Sequence, residues 1–207
     1  MIALDHAEAS ARGPSSQDPP RSPTMMSVTY DEKPTATVEV VAYDGTWAEM
    51  FDVERDLLAA IIPEARAIEH IGSTSIPGLA AKPTIDILAV VDEISDVLDR
   101  RSVLTELGYE YRPGSFADDD EHLFFRKVSG RRRTHHLHVL ASSSPKPESY
   151  RLFRDYLITN GDAANRYEEA KRALALQYAN ERARYIDKKV DVVSQLLSEA
   201  FRWRSKS

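Results

Sequence analysis

The stretch "PTIDILAVV", Pro83 to Val91, constrains the fold more than any other part of the chain. It is almost continuously apolar, as a strand covered on both faces must be, so it predicts a central strand in a sheet flanked by helices. It also carries one acid, Asp86. An ionised carboxylate in such a strand is costly unless it is paired, hydrogen-bonded or bound to metal. Just upstream, "HIGSTSIPG" supplies a glycine–hydroxyl turn. A glycine at a strand end lets the backbone turn sharply and lets a ligand approach main-chain N–H groups, and neighbouring hydroxyls suit phosphate oxygens. Taken alone, Gly72-Ser73-Thr74 is also an ordinary turn, and Asp86 also suits a structural partner such as Lys82 or an arginine.

The remaining elements follow from periodicity. "VEVVAY" (Val38 to Tyr43) reads as a strand, and Asp44 or Thr46 can cap a helix from Trp47 to Ile62. "ARAIEHI" reads as a strand ending at the Gly72 turn. A helix from Ile94 to Leu107 is stopped by Gly108. "YEYR", "LFFRKV" and "HHLHVLA" read as strands, the last two joined by "SGRRR". After Pro147 come three helices, Glu148 to Asn160, Ala163 to Asn180 and Asp187 to Trp203, with breaks at Gly161 and near Tyr185. This order predicts an α/β (α+β) fold: a mixed sheet flanked by helices, with a helical C-terminal part. Residues 1–37 hold five of the 11 prolines and no apolar period, so they read as a flexible tail before a single domain over 38–203, sheet-rich to 146 and helical beyond. Met25 and Met26 offer a second candidate start within that tail.

The chain contains no cysteine, which excludes disulfides, thiolate metal sites and thiol catalysis. No run approaches the ~18 apolar residues of a membrane span, and the opening residues lack a secretory pattern. A cytoplasmic protein without a membrane partner is the expectation. The net charge of −6 opposes a long nucleic acid, while a local basic pocket can still hold a small phosphorylated or nucleotide ligand. The sequence contains no Walker A motif, no G-x-G-x-x-G, no G-x-S-x-G and no helical H-E-x-x-H. It is silent on oligomeric state.

"EHIGSTSIPGLAAKPTIDI", "RTHHLHV", "FRDYL", "YEEAKRALA" and "YIDKK" together resemble the GrpB family, over about residues 38 to 200. Members of that family have the polymerase-beta-like nucleotidyltransferase fold, and similar domains occur fused to dephospho-CoA kinases. The resemblance implies that the Gly72, Ser73 and Thr74 turn holds phosphates and that Asp86 binds a divalent metal, Mg2+ or Mn2+ before Zn2+. The superfamily pattern places a second acid two residues on, where alternate strand positions share a face. This chain has Leu88 there, and Asp92 lies ~20 Å further along the strand.

His136 and His138 alternate in "THHLHVL", so they leave their strand on one side. They are candidates to complete a site with Asp86, His138 as a metal ligand; a histidine-rich set would itself favour Mn2+ or Zn2+ over Mg2+. The alternative is that they are strand residues bonded to neighbours or lying over a substrate. Lys82, Arg126, Arg133, Arg154 and Lys171 are candidate phosphate partners, each of which could equally be a solvated charge. "RRR" (Arg131 to Arg133) and "DDDE" (Asp118 to Glu121) read most simply as solvated turns. The expected geometry is one cleft holding Asp86, His136 and His138, with Ser73 at its rim. The expected function is metal-dependent nucleotidyl transfer, or binding of a nucleotide or phosphate ligand; the alternative is a non-catalytic ligand-binding or regulatory module on the same fold.

The proline-rich segment generates a direct test. Limited trypsin digestion is expected to cut at Arg12 and Arg21 while leaving a resistant core. Protection of both sites would contradict the assignment of a tail.

Overall fold

The computed structural model describes residues 37–206 except 117 and 131. The tail and Arg131 therefore lie outside the described residues. Helix α1 spans Thr46–Ile61, strand β1 Ala67–Ile71 and strand β2 Ile85–Val91. Helices α2 (Ile94–Asp99) and α3 (Arg101–Glu106) lead to β3 (Tyr109–Tyr111), β4 (His122–Ser129) and β5 (Arg132–Ala141). Three helices close the chain, α4 (Lys146–Thr159), α5 (Gly161–Gln177) and α6 (Arg182–Arg204). Among the described residues no helix is long and apolar enough to cross a membrane.

The strands form one mixed sheet in the order β1-β2-β5-β4-β3. Only β2 and β5 pair in parallel; the other neighbours are antiparallel. Alternation then sorts the side chains. Ile85, Ile87, Ala89, Val91, Leu137 and Val139 pack with Trp47, Phe51 and Leu58 of α1, Val97 of α2 and Leu104 of α3. Leu88, Val90 and Leu140 face the other way, into a core with Phe153 and Leu157 of α4, Tyr167 of α5 and Val193 and Leu196 of α6. Fully burying each such aliphatic side chain contributes roughly 1.5–3 kcal/mol, so β2 is fastened from both sides along most of its length.

Local chemistry sets the ends. The Asp44 carboxylate accepts from the Thr46 N–H at 2.9 Å and from its hydroxyl at 2.7 Å, a local turn just ahead of α1, whose N-cap is Gly45 and not Asp44 or Thr46. Asn160 caps α5 by accepting from the Ala163 N–H at 3.0 Å. Three further expectations are corrected. The segment Val38 to Tyr43 makes only a single bridge, Val41 with Ala81, because Val38 packs instead on Ala175 and Tyr185 of the C-terminal helices. The helix expected over Ile94 to Leu107 divides at Arg100, whose guanidinium pairs with Glu64 and the Asp96 carbonyl. Tyr185 is not at a break: α6 begins at Arg182, and its first turn packs Tyr185 with Val38 and Ala175.

Between β1 and β2 the chain turns at Gly72, which has φ +73° and ψ −171°. That conformation is open essentially to glycine alone. A Cβ there would also meet the Asp86 carboxylate oxygen Oδ2 at 2.4 Å. Gly72→Ala is therefore expected to destabilise the fold by at least roughly 1–3 kcal/mol through the backbone term alone, read as a lower denaturant midpoint. A midpoint equal to that of the unaltered protein would show that the turn does not constrain Asp86.

Candidate functional site

Parallel pairing places Asp86 directly beside His136, and Leu88 beside His138. Asp86, His136 and His138 thus leave the sheet on the face covered by the C-terminal helices. His136 Nδ1 donates to Asp86 Oδ1 at 2.8 Å. The carboxylate's other oxygen lies against Gly72. The pair sits at the carboxyl end of β1 and toward the amino ends of β2 and β5, at one mouth of the sheet.

A narrow cavity opens there. It is lined by Ser73 and Thr74 of the turn, Lys82 and Thr84 ahead of β2, Asp86, His136, Lys171 of α5, and Arg182, Tyr185 and Lys189 of α6. Its free volume is about 40 Å3, room for roughly three waters, which is the scale of a phosphate group. The hydroxyls are partly engaged. Ser73 donates to the Tyr167 hydroxyl at 3.5 Å. Thr74 donates to the Thr84 carbonyl at 3.3 Å and meets His70 Nε2 at 3.0 Å. Thr84 in turn donates to the Arg133 carbonyl at 3.2 Å.

Four cationic side chains and one carboxylate line this cavity. Lys171 donates to the Ala80 carbonyl, and its ammonium lies 4.5 Å from the Tyr167 ring centroid. Among the described residues Lys82, Arg133 and Arg182 form no side-chain hydrogen bond or ion pair. Burial pushes Lys82 down to about 7, helped by Arg182 and Arg133. Burial and then Lys189 push Lys171 down to about 6. Burial, Arg133 and Arg126 bring Arg182 down to about 10. Buried cations that repel one another lose protons readily. The Asp86 carboxyl behaves oppositely: burial raises it, but the His136 hydrogen bond prevails and holds it well below the carboxylate range.

A bulge adds to the positive field. β4 and β5 shift register between Lys127 and Val128, leaving Thr134 without a partner. Arg133 consequently stands opposite Val128, in the row that carries Arg126. Without that extra residue Arg133 would point to the α1 side.

The structure gathers Ser73, Thr74, Lys82, Asp86, His136 and Lys171 around the cavity, with Gly72 behind Asp86 and Arg133 beside Lys82 and Arg182. It does not bring in Arg154, whose guanidinium is held by Glu69, Asp155 and the His70 carbonyl. Nor does it bring in His138. One step deeper than Asp86, His138 lies 3.0 Å through Nδ1 from His122 Nε2 and is ringed by Phe116, Phe124 and Tyr150. The sequence reading missed Arg182, Tyr185 and Lys189. Their signal is helical spacing within "RARYIDKK", positions i, i+3 and i+7, which a break placed near Tyr185 conceals.

The expected composite site of Asp86, His136 and His138 is not assembled as a cluster among the described residues. Among the described residues no group of three or more His, Asp or Glu side chains converges on a point that could hold an ion. Asp86 is bonded to His136, Leu88 is buried in the core, and the surrounding ammonium groups oppose a second cation. This donor set does not fit a resident divalent metal.

Burial also fixes an acid response. His136 is pushed down to about 4 by burial, against the pull of Asp86. His70 is likewise pushed down to about 4 by burial, against Asp86. Between about pH 6.5 and 4 the unfolded chain therefore binds more protons than the fold, and stability falls as pH is lowered through that window. Each histidine contributes on the order of 3 kcal/mol to the loss at its lower limit. A melting temperature that stays flat from pH 6.5 to 4 would contradict this arrangement.

The family model described as GrpB protein matches residues 37–199. The UPF0157 protein YqkA of Bacillus subtilis is 37% identical over 172 residues, covering 83% of this chain and 49% of that protein, so the chain spans about half of that relative's length. The glutamate-rich protein GrpB of Alkalihalophilus pseudofirmus is 35% identical over 166 residues, 78% of this chain and 95% of that one. The crystal structure of the conserved protein GrpB from Enterococcus faecalis superposes with a TM-score of 0.74 at 31% identity, covering 80% of this chain and 99% of that chain. The family model and the relatives agree, and the chain belongs to the GrpB protein family.

Proposed function

We propose that this protein binds a small phosphorylated ligand in the cavity between the sheet and helices α5 and α6. One observation carries the proposal. Lys82, Lys171, Arg182 and Lys189 come from three separate parts of the chain, converge on one cavity, and face a single carboxylate there. Side chains that repel one another in a half-dry pocket are stabilised when an anion enters, and a phosphate group offers enough acceptor oxygens to engage several of them. The hydroxyls of Ser73 and Thr74 line the rim. A nucleotide is one member of this ligand class.

Two features favour binding over metal-dependent nucleotidyl transfer. Leu88 occupies the position of the second acid and is packed into the core. Asp86, the remaining acid, is committed to His136. The non-catalytic ligand-binding module is therefore the reading these residues support.

Calorimetry with inorganic sulfate tests it, because sulfate keeps its charge over the relevant pH range. Affinity is expected to fall as pH rises from about 6 to 9, since Lys82 and Lys171 lose their protons from about 7 and about 6 upward. Arg182→Met and Lys82→Met are each expected to weaken binding about ten- to hundredfold, the scale of a charge-assisted hydrogen bond. Raised salt should weaken binding further. Failure of sulfate, pyrophosphate and ATP to bind at low salt would overturn the proposal.

A further inference from the structure

The cavity is rich in donors and poor in acceptors. Ammonium and guanidinium groups only donate. Besides the hydroxyls of Ser73, Thr74, Thr84 and Tyr185, which both donate and accept, two side chains act as acceptors. Asp86 spends Oδ1 on His136 and rests Oδ2 against Gly72. The other acceptor is His136. Because Nδ1 carries the proton that bonds Asp86, Nε2 bears the lone pair. No described residue bonds that atom, and it is not among the enclosed polar atoms left without a partner, so it opens on the cavity that His136 lines.

A fully ionised phosphate cannot satisfy this nitrogen. It brings only acceptor oxygens, and acceptor against acceptor leaves both unpaired at a cost. The group that meets Nε2 must be a donor. It must also be neutral, since a ligand ammonium would face Lys82, Lys171, Arg182 and Lys189. The cavity holds little more than a phosphate group, so the donor sits on the atoms next to the phosphorus. An alcohol on the carbons beside the phosphate ester is a neutral donor at that distance.

We propose that His136 Nε2 accepts a hydrogen bond from a hydroxyl of the ligand, so that the pocket selects a phosphorylated polyol or sugar over a phosphate ester of equal charge without hydroxyls. This inference rests on anion binding in the same cavity. Asp86 is the positioning residue: its bond to Nδ1 selects the tautomer that leaves Nε2 free, the role a carboxylate plays behind a functional histidine.

Titration calorimetry at about pH 7 decides it with three probes: glycerol 3-phosphate, n-propyl phosphate and inorganic sulfate. Near that pH both esters are mostly dianions, so charge does not separate them. Glycerol 3-phosphate is expected to bind at least about fivefold tighter than n-propyl phosphate, the scale of one satisfied against one unsatisfied polar group. In His136→Phe that preference is expected to vanish, the affinities of the two esters becoming equal. A preference below fivefold in the unaltered protein, or one that survives His136→Phe, overturns the hydroxyl contact and leaves anion binding standing. Binding of none of the three overturns both. If His136→Phe does not fold, the comparison of the two esters on the unaltered protein decides alone.

Discussion

The hydrogen bond between His136 and Asp86 is the interaction on which the rest of this site depends. It exists because β2 and β5 run parallel and side by side, which puts the two residues at the same level on the same face. A carboxylate this deep would otherwise lack a partner and unbalance the central strand. Several features follow from accommodating it. Gly72 must have no side chain, because Asp86 occupies the space a Cβ would need. The histidine is held neutral and in one tautomer. Helices α5 and α6 bring their cations to the side where this negative charge lies.

That concentration of cations opposes the fold locally. Lys82 and Lys171 are both driven toward deprotonation at physiological pH, a cost that an ordinary surface avoids. The apolar anchoring of the helices offsets it. Tyr167, Val193, Leu196 and Leu197 lie on the same helices and pack into the core beneath the cavity. Polar groups strained against one another above a well-packed base are what a binding site looks like when its ligand supplies the missing charge.

The polar character ends within two residues of Asp86. At Leu88 the same face becomes core, and His138 is sealed among aromatic rings and bonded to His122. The site is therefore shallow along the strands, one residue deep from the mouth of the sheet. This explains why two histidines with identical strand parity have different surroundings: His136 lines the cavity, and His138 belongs to the interior.

Much of the fold was legible in the chain. The apolar run of β2, the glycine turn, the alternating histidines and the C-terminal helices follow from short-range periodicity, which is a property of neighbouring residues. The glycine–hydroxyl turn and Asp86, adjacent in the sequence reading, also line one cavity in the fold. Other features were not legible. Arg182 and Lys189 were hidden by a misplaced helix start, Arg133 by a bulge whose extra residue reverses its direction, and the engagement of Arg154 by partners 84 and 85 positions away in sequence. The sequence by itself determined that β2 is an interior strand and that its acid needs a partner, because burial and hydrogen bonding act on composition and spacing. Only the tertiary structure decided that His136 partners the acid, and that four cations share one cavity. Those outcomes depend on strand order, register and helix docking, and long-range pairing leaves no periodic trace in one chain's sequence.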